Sequence, residues 1–158
     1  MIILNRLGLG AAAVGIVYAL QGVFGLVSGL LAGRLDTHGH ERRLMAIPML
    51  LAGGAIALLI PNAGITPVLI AMVLLGLITG PMDVAMFTVR QRRTDPAWMG
   101  RAFAISMSFN FAGYPIGAAI GGFVAAQSIE LALGLAVVAT LLAAAFARLQ
   151  IPAHEADA

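Results

Sequence analysis

The sequence predicts an all-α integral membrane protein with five transmembrane helices. Hydrophobic residues make up 61% of the 158 positions and charged residues only 10%, which is too apolar for a water-soluble domain of ordinary composition. Five apolar runs are about 20 residues in length, or longer, and a helix of that length crosses a hydrocarbon core of about 30 Å. None alternates with the period of two that a barrel strand requires. The predicted spans, which form a single domain, are 7–33, 44–60, 67–89, 102–126 and 129–149, with a short polar cytoplasmic tail at 150–158.

The segments between the spans carry residues that form turns. The sequence "PNAGITP" at 61–67 has proline at both ends and Asn-Ala-Gly inside. In "RTDPAWMG" at 93–100, Asp95 is predicted to cap the following helix, with Pro96 at its first position. These breaks separate consecutive membrane helices.

Composition excludes several classes of protein. The chain has no Cys, so it has no disulfide and no thiolate nucleophile, and a net charge of +2 without any Lys argues against a nucleic-acid partner. His38 and His40, with Asp36 and Glu41, are interpreted as a solvated turn rather than a metal site. No hydrolase or ATPase motif is present, so we expect no enzyme activity, no metal and no cofactor.

The distribution of arginines predicts the orientation of the chain. Short loops rich in Arg stay on the cytoplasmic side of a membrane. In a five-span zigzag eight of the nine basic residues fall on one face, namely Arg34, Arg42, Arg43, Arg90, Arg92, Arg93, Arg101 and Arg148. We therefore expect a protein of the plasma or inner membrane with its N-terminus outside and its C-terminus in the cytoplasm.

Glycine spacing predicts where helices approach closely. Glycine recurs every fourth residue at Gly25, Gly29 and Gly33 in the first span, and at Gly113, Gly117 and Gly121 in the fourth. Such faces allow two backbones to come together in lipid, so both are predicted to pack on protein. The fifth span is almost entirely Leu, Ala and Val and is predicted to be peripheral and lipid-facing.

Asp83 is an acidic residue well inside a predicted span. It precedes Arg90 by seven residues, which places it about 10 Å from the end of its helix. An unpaired carboxylate in the membrane costs about 2.5–3.5 kcal/mol or more, so Asp83 requires a partner. Gly76, Gly80 and Phe87 share its helical face, which indicates that it points toward packed helices.

Four polar residues near mid-depth are candidates for a substrate pathway. Tyr18 and Gln21 lie in the first span, and Asn110 and Tyr114 in the fourth. Secondary transporters bind substrate near the bilayer midplane, although interhelical hydrogen bonding explains each of these residues equally well. Since none is charged, an apolar or amphipathic small-molecule substrate is favoured.

Two segments carry a resemblance to a known family. The segment "GLLAGRLDTHGHERRL" at 29–44 resembles the loop signature of major facilitator superfamily transporters, and "DPAWMGRAFAISMSFNFAGYPIGAAIGGFVAA" at 95–126 is similar to a Gly-rich helix of that family with its preceding loop. The resemblance implies the last five of twelve helices, a C-terminal half that lacks its first helix, with the missing N-terminal helices and membrane lipid as partners. It further implies secondary active transport, with efflux of a drug-like or small amphipathic metabolite.

The resemblance also implies a gate at the cytoplasmic face. In this family an acid near the end of the equivalent helix pairs with the loop arginine, so we expect Arg42 or Arg43, or else Arg34, to pair with Asp83. The predicted gating set is completed by Asp36 and Arg101. Two alternatives remain open, a static pair that fixes helix register and a protonation site that couples transport to protons; a non-transporting interaction or assembly module is the alternative function.

Overall fold

In a computed structural model, the described residues are 2, 7–34, 39–61 and 64–151. They form five α-helices without strands, which confirms the predicted fold class. The helices are α1 (Ala11–Ala32), α2 (Glu41–Ala57), α3 (Ile65–Arg92), α4 (Met99–Gln127) and α5 (Ile129–Gln150). Of these, α1, α3, α4 and α5 are long and apolar enough to cross a membrane. Helix α2 has only 17 residues and begins with the charged run Glu41 to Arg43.

Side chains cap two helix starts. The Asp95 carboxylate accepts a hydrogen bond from the Ala97 backbone nitrogen at 2.8 Å, and a 3₁₀ turn, Pro96–Trp98, leads into α4, which confirms the predicted cap. Ser128 separates α4 from α5, and its hydroxyl accepts a bond from the Leu131 nitrogen at 3.1 Å. Of the predicted polar tail, only Gln150 and Ile151 belong to the described residues.

Helices α1 and α3 pack through glycines. Gly25 faces Gly76 and Gly29 faces Gly80. A Cβ added to Gly76 or Gly80 would overlap backbone atoms of α1, whereas one added to Gly25 or Gly29 would make ordinary contacts. Because both residue numbers rise along this contact, the two helices run parallel. The contact confirms the predicted packing of the first glycine face.

Helix α2 packs against two other helices. It packs on α3 and on α5, where Gly53 lies against Thr140 and Leu141. Ala144 and Ala147 of α5 are buried. These small side chains allow α5 to pack closely on α2, whereas larger side chains of α5 such as Leu135 and Phe146 are exposed. The peripheral, lipid-facing position of the fifth span stays a prediction.

Helix α4 is the most exposed helix among the described residues. It contains no buried residue, and a Cβ added at Gly113, Gly117 or Gly121 would meet nothing within 4 Å. The predicted packing of this second glycine face is not realised within the described chain. The glycine spacing creates a face of α4 on which another helix can pack closely, but no described helix packs there.

Candidate functional site

Most arginines lie at one end of the bundle. Since α1 and α3 run parallel, their C-terminal ends lie together, and α2 and α4 start from the short connections that follow. We call this region the arginine end, defined by Arg34, Arg42, Arg43, Arg90, Arg92, Arg93 and Arg101. It contains every described residue of the predicted gating set except Asp83, which lies deeper.

Asp83 lies level with the last turn of α1. It follows Gly80 by three residues, or about 4.5 Å along α3, and Gly80 contacts Gly29. Three residues after Gly29 in the parallel helix α1 is Ala32, which is buried. The C-terminus of a helix carries partial negative charge, so a half-buried carboxylate beside it is destabilised unless a cation or a proton neutralises it.

The structure does not bring Asp83 into an ion pair with Arg34, Arg42 or Arg43. Among the described residues no Arg nitrogen lies within 4.0 Å of its carboxylate. Arg34 and Arg43 are exposed and Arg42 is half-buried, whereas Asp36 lies outside the described residues. Pairing of Asp83 with a loop arginine therefore stays a prediction.

A different ion pair joins the start of α2 to the end of α3. Arg92 Nη1 donates to Glu41 Oε1, which connects the first residue of α2 to the last turn of α3. Glu41 is only 8% exposed, so its carboxylate is largely removed from solvent and depends on this partner. Within the described ranges, no cluster of three or more potential metal ligands is present around it or elsewhere.

Arg101, the remaining described member of the gating set, forms no ion pair with Asp83. Its guanidinium stacks over the Trp98 ring, with 5.0 Å from Cζ to the ring centroid. The side chain is exposed at the start of α4. The Arg101 guanidinium therefore lies on the surface of the described bundle, against Trp98.

The predicted pathway residues do not converge. Tyr18 lines a cavity of about 540 Å³ at the end opposite the arginine end, together with aliphatic residues such as Val14, Met72 and Leu133. Gln21 is half-buried in α1, and Asn110 and Tyr114 are exposed on α4, Tyr114 at 81%. Of the four residues, Tyr18 lines this cavity, and Gln21, Asn110 and Tyr114 do not.

Two further contacts lie outside the predicted site residues. Glu41 was interpreted as part of a solvated turn, although an acid at the start of a helix opposite an Arg-rich helix end could have suggested the pair. The Ser28 hydroxyl shares its one hydrogen between the Gly25 carbonyl at 3.0 Å and the Gly76 carbonyl at 3.2 Å, where the glycines bring α1 and α3 together. A serine between two such glycines is the signal for this interhelical bond.

The parallel apolar helices and their basic end define a multi-helix integral membrane protein. The whole chain, residues 1–158, matches the sequence profile of the Major Facilitator Superfamily, and it belongs to that family. It is 43% identical over 143 residues to y4rN, an uncharacterized MFS-type transporter from Sinorhizobium fredii (strain NBRC 101917 / NGR234). The match covers 90% of this chain and 35% of the relative, so the chain spans about a third of that protein's length. No solved structure matches the chain.

Proposed function

We propose that the chain is part of a secondary active transporter that exports a drug-like or small amphipathic compound by alternating access. Membership of the Major Facilitator Superfamily is the observation that carries this proposal. The relative described as an MFS-type transporter supports the same class of activity. A transporter of this kind requires no enzyme chemistry and no cofactor.

The cavity supports an amphipathic rather than a charged substrate. Its described lining is apolar apart from the Tyr18 hydroxyl, and it carries no charged side chain. Ligand sites of this size are commonly apolar, with a few polar groups that orient the ligand. A compound with an apolar body and one hydrogen-bonding group fits this lining.

The arginine end supports a cytoplasmic gate. Asp83 needs a cation or a proton beside the last turn of α1. Arg34 directly follows α1, and Arg42 and Arg43 lie in the first turn of α2. In the gate proposal one of these arginines moves onto Asp83 and closes the cytoplasmic side. The register pair and the protonation site are the competing roles for the same carboxylate, and the second would make protons the coupling ion.

The exposure of α4 supports partners beyond this chain. Asn110 and Tyr114 present polar groups from a helix that contacts little of the described bundle. Hydrogen-bonding side chains in a membrane helix favour packing against other helices. We assign these partners to the remaining transporter helices, in an arrangement with the arginine end in the cytoplasm and the first helix starting outside. The same exposure favours the alternative function, a membrane assembly module.

A chimera tests the transporter proposal. In it, this chain replaces the aligned third of y4rN, and cells are loaded with a panel of fluorescent amphipathic dyes. Cells with the chimera are expected to retain less of at least one dye than cells with an empty vector. If y4rN exports a dye and a correctly inserted chimera exports none, the transporter proposal fails and the assembly module is favoured.

Asp83→Asn in the chimera distinguishes the three roles of the carboxylate. For the gate, we expect export and substrate exchange to fall together by about tenfold, since an asparagine cannot hold a cation. A protonation site predicts loss of gradient-driven export with exchange retained. A register pair predicts lower stability with normal transport per folded molecule. Asp95→Asn is the matched control, because asparagine caps a helix as well as aspartate does, and it should leave transport unchanged.

A further inference from the structure

Two arginines at the arginine end have aromatic rather than carboxylate partners. The Arg90 guanidinium lies over the Phe87 ring at 5.9 Å, and the Arg101 guanidinium lies over Trp98 at 5.0 Å. Phe87 in turn stacks on Phe103 of α4, with ring centroids 5.9 Å apart. We call these five residues the α3–α4 corner. In the part of the chain that the structure describes, neither Arg90 nor Arg101 forms an ion pair.

Arg90 lacks a hydrogen-bond acceptor. Its Nη1 atom is buried and bonds to nothing, whereas Arg92, two residues further along the helix, has Glu41. A buried donor without an acceptor is costly, and the cost is larger for a charged group. The described carboxylate nearest in sequence, Asp95, already accepts the Ala97 amide. Asp83, seven residues earlier on the same face of α3, forms no ion pair with Arg90 in this conformation. The other nitrogens of this half-buried guanidinium are therefore open to an acceptor from outside the described chain.

The position of the corner identifies the chemistry of that acceptor. Arg90 occupies the last turn of the 28-residue helix α3, and Trp98 is 57% exposed in the turn that follows. Tryptophan favours the level of the lipid headgroups, where phosphate oxygens are plentiful. A guanidinium donates two parallel hydrogen bonds to a phosphate, and two arginines without carboxylates favour a lipid of net negative charge.

The same face of α4 offers contacts for an acyl chain. Ile105 and Phe109 follow Arg101 at intervals of four residues and therefore lie on its side of the helix. Both are exposed, at 61% and 79%. A lipid whose phosphate lies at Arg101 can extend its chain along these two side chains toward the membrane interior.

We propose that the α3–α4 corner binds the headgroup of an anionic diacyl phospholipid, with Arg90 and Arg101 as donors to its phosphate. The aromatic rings hold the two guanidinium groups in place, and Ile105 and Phe109 contact an acyl chain. The proposal depends neither on transport nor on which side of the membrane the corner faces.

Trp98 provides the measurement, because it is the only tryptophan in the chain. The purified chain is reconstituted in phosphatidylcholine vesicles that contain a fixed fraction of brominated phosphatidylglycerol or of brominated phosphatidylcholine. Bromine quenches the fluorescence of a tryptophan that it contacts. The relative binding constant for phosphatidylglycerol is expected to exceed that for phosphatidylcholine at least about fivefold, and each of Arg90→Gln and Arg101→Gln should reduce this preference about fivefold.

Arg148→Gln is the matched control, since it removes the same charge from an exposed position at the end of α5 and should keep the preference. Arg101 is itself exposed, so its variant tests the site even if Arg90→Gln fails to fold. Equal quenching by the two brominated lipids, or an unchanged preference in Arg101→Gln, overturns the proposal. Inorganic phosphate at millimolar concentration, matched for ionic strength with chloride, should not displace the lipid; displacement would indicate a site for soluble phosphate and overturn the lipid assignment.

Discussion

Replacing Gly80 with alanine is expected to lower the free energy of unfolding by about 1–3 kcal/mol or more. A Cβ at this position would overlap the Gly29 backbone nitrogen and stand 2.5 Å from the Ser28 carbonyl carbon. Both are backbone atoms of α1, so no side-chain rotation relieves the clash. The two helices must separate, which also breaks the hydrogen bond from Ser28 to the Gly76 carbonyl.

The measurement is reversible unfolding in mixed SDS micelles, followed by circular dichroism. Gly117→Ala is the matched control, because a Cβ there meets nothing within 4 Å and alanine favours the helix by about 1 kcal/mol. Gly76→Ala, whose Cβ would overlap the Gln21 carbonyl oxygen, should resemble Gly80→Ala. If Gly80→Ala and Gly117→Ala unfold alike, α1 and α3 do not pack through these glycines.

Replacing Arg92 with glutamine is expected to cost about 1–3 kcal/mol of stability. Breaking a fully buried ion pair costs about 3–5 kcal/mol, and the value is lower here because the Arg92 side chain is 30% exposed. The cost arises from Glu41, whose carboxylate side chain is only 11% exposed and would lose its cation. Glu41→Gln should cost less, since the arginine that it leaves behind can reach solvent.

A double-mutant cycle isolates the pair. The variant with both Glu41→Gln and Arg92→Gln should be more stable than the sum of the single changes implies, because neither charge is then left alone. Arg43→Gln removes a neighbouring exposed charge and should change stability by less than about 0.5 kcal/mol. Additive effects of the two single changes would show that Glu41 and Arg92 do not interact in solution.

The sequence predicted the fold because membrane helices are specified by length and apolarity. It also predicted the Asp95 cap and the first glycine face, since each depends on residues close together in the chain. The fourth and fifth helices were harder to predict. Composition predicted a peripheral α5 but did not identify Gly53 opposite Thr140, where α5 packs on α2. The glycines of α4 meet no described helix.

The candidate site was harder to predict from the sequence than the fold. Seven arginines lie at one end, and which of them reaches an acid depends on helix rotation and on the path of the first loop. The helical period does not determine either. Arg92 pairs with Glu41 because α2 begins beside the end of α3, a tertiary contact between residues 51 positions apart. The sequence identified Asp83 as a candidate only because it lies well inside a predicted span, and its pairing partner remains a prediction.

Labelling of single cysteines tests the central claim, that the arginine end faces the cytoplasm. The chain has no native Cys, so His40→Cys, Ala97→Cys and Gln127→Cys each introduce one exposed thiol, the first two at the arginine end and the third at the opposite end. With a membrane-impermeant maleimide, Gln127→Cys is predicted to react in intact cells, and His40→Cys and Ala97→Cys only in inverted vesicles. Reaction of His40→Cys and Ala97→Cys from outside intact cells would contradict the orientation and, with it, the cytoplasmic gate.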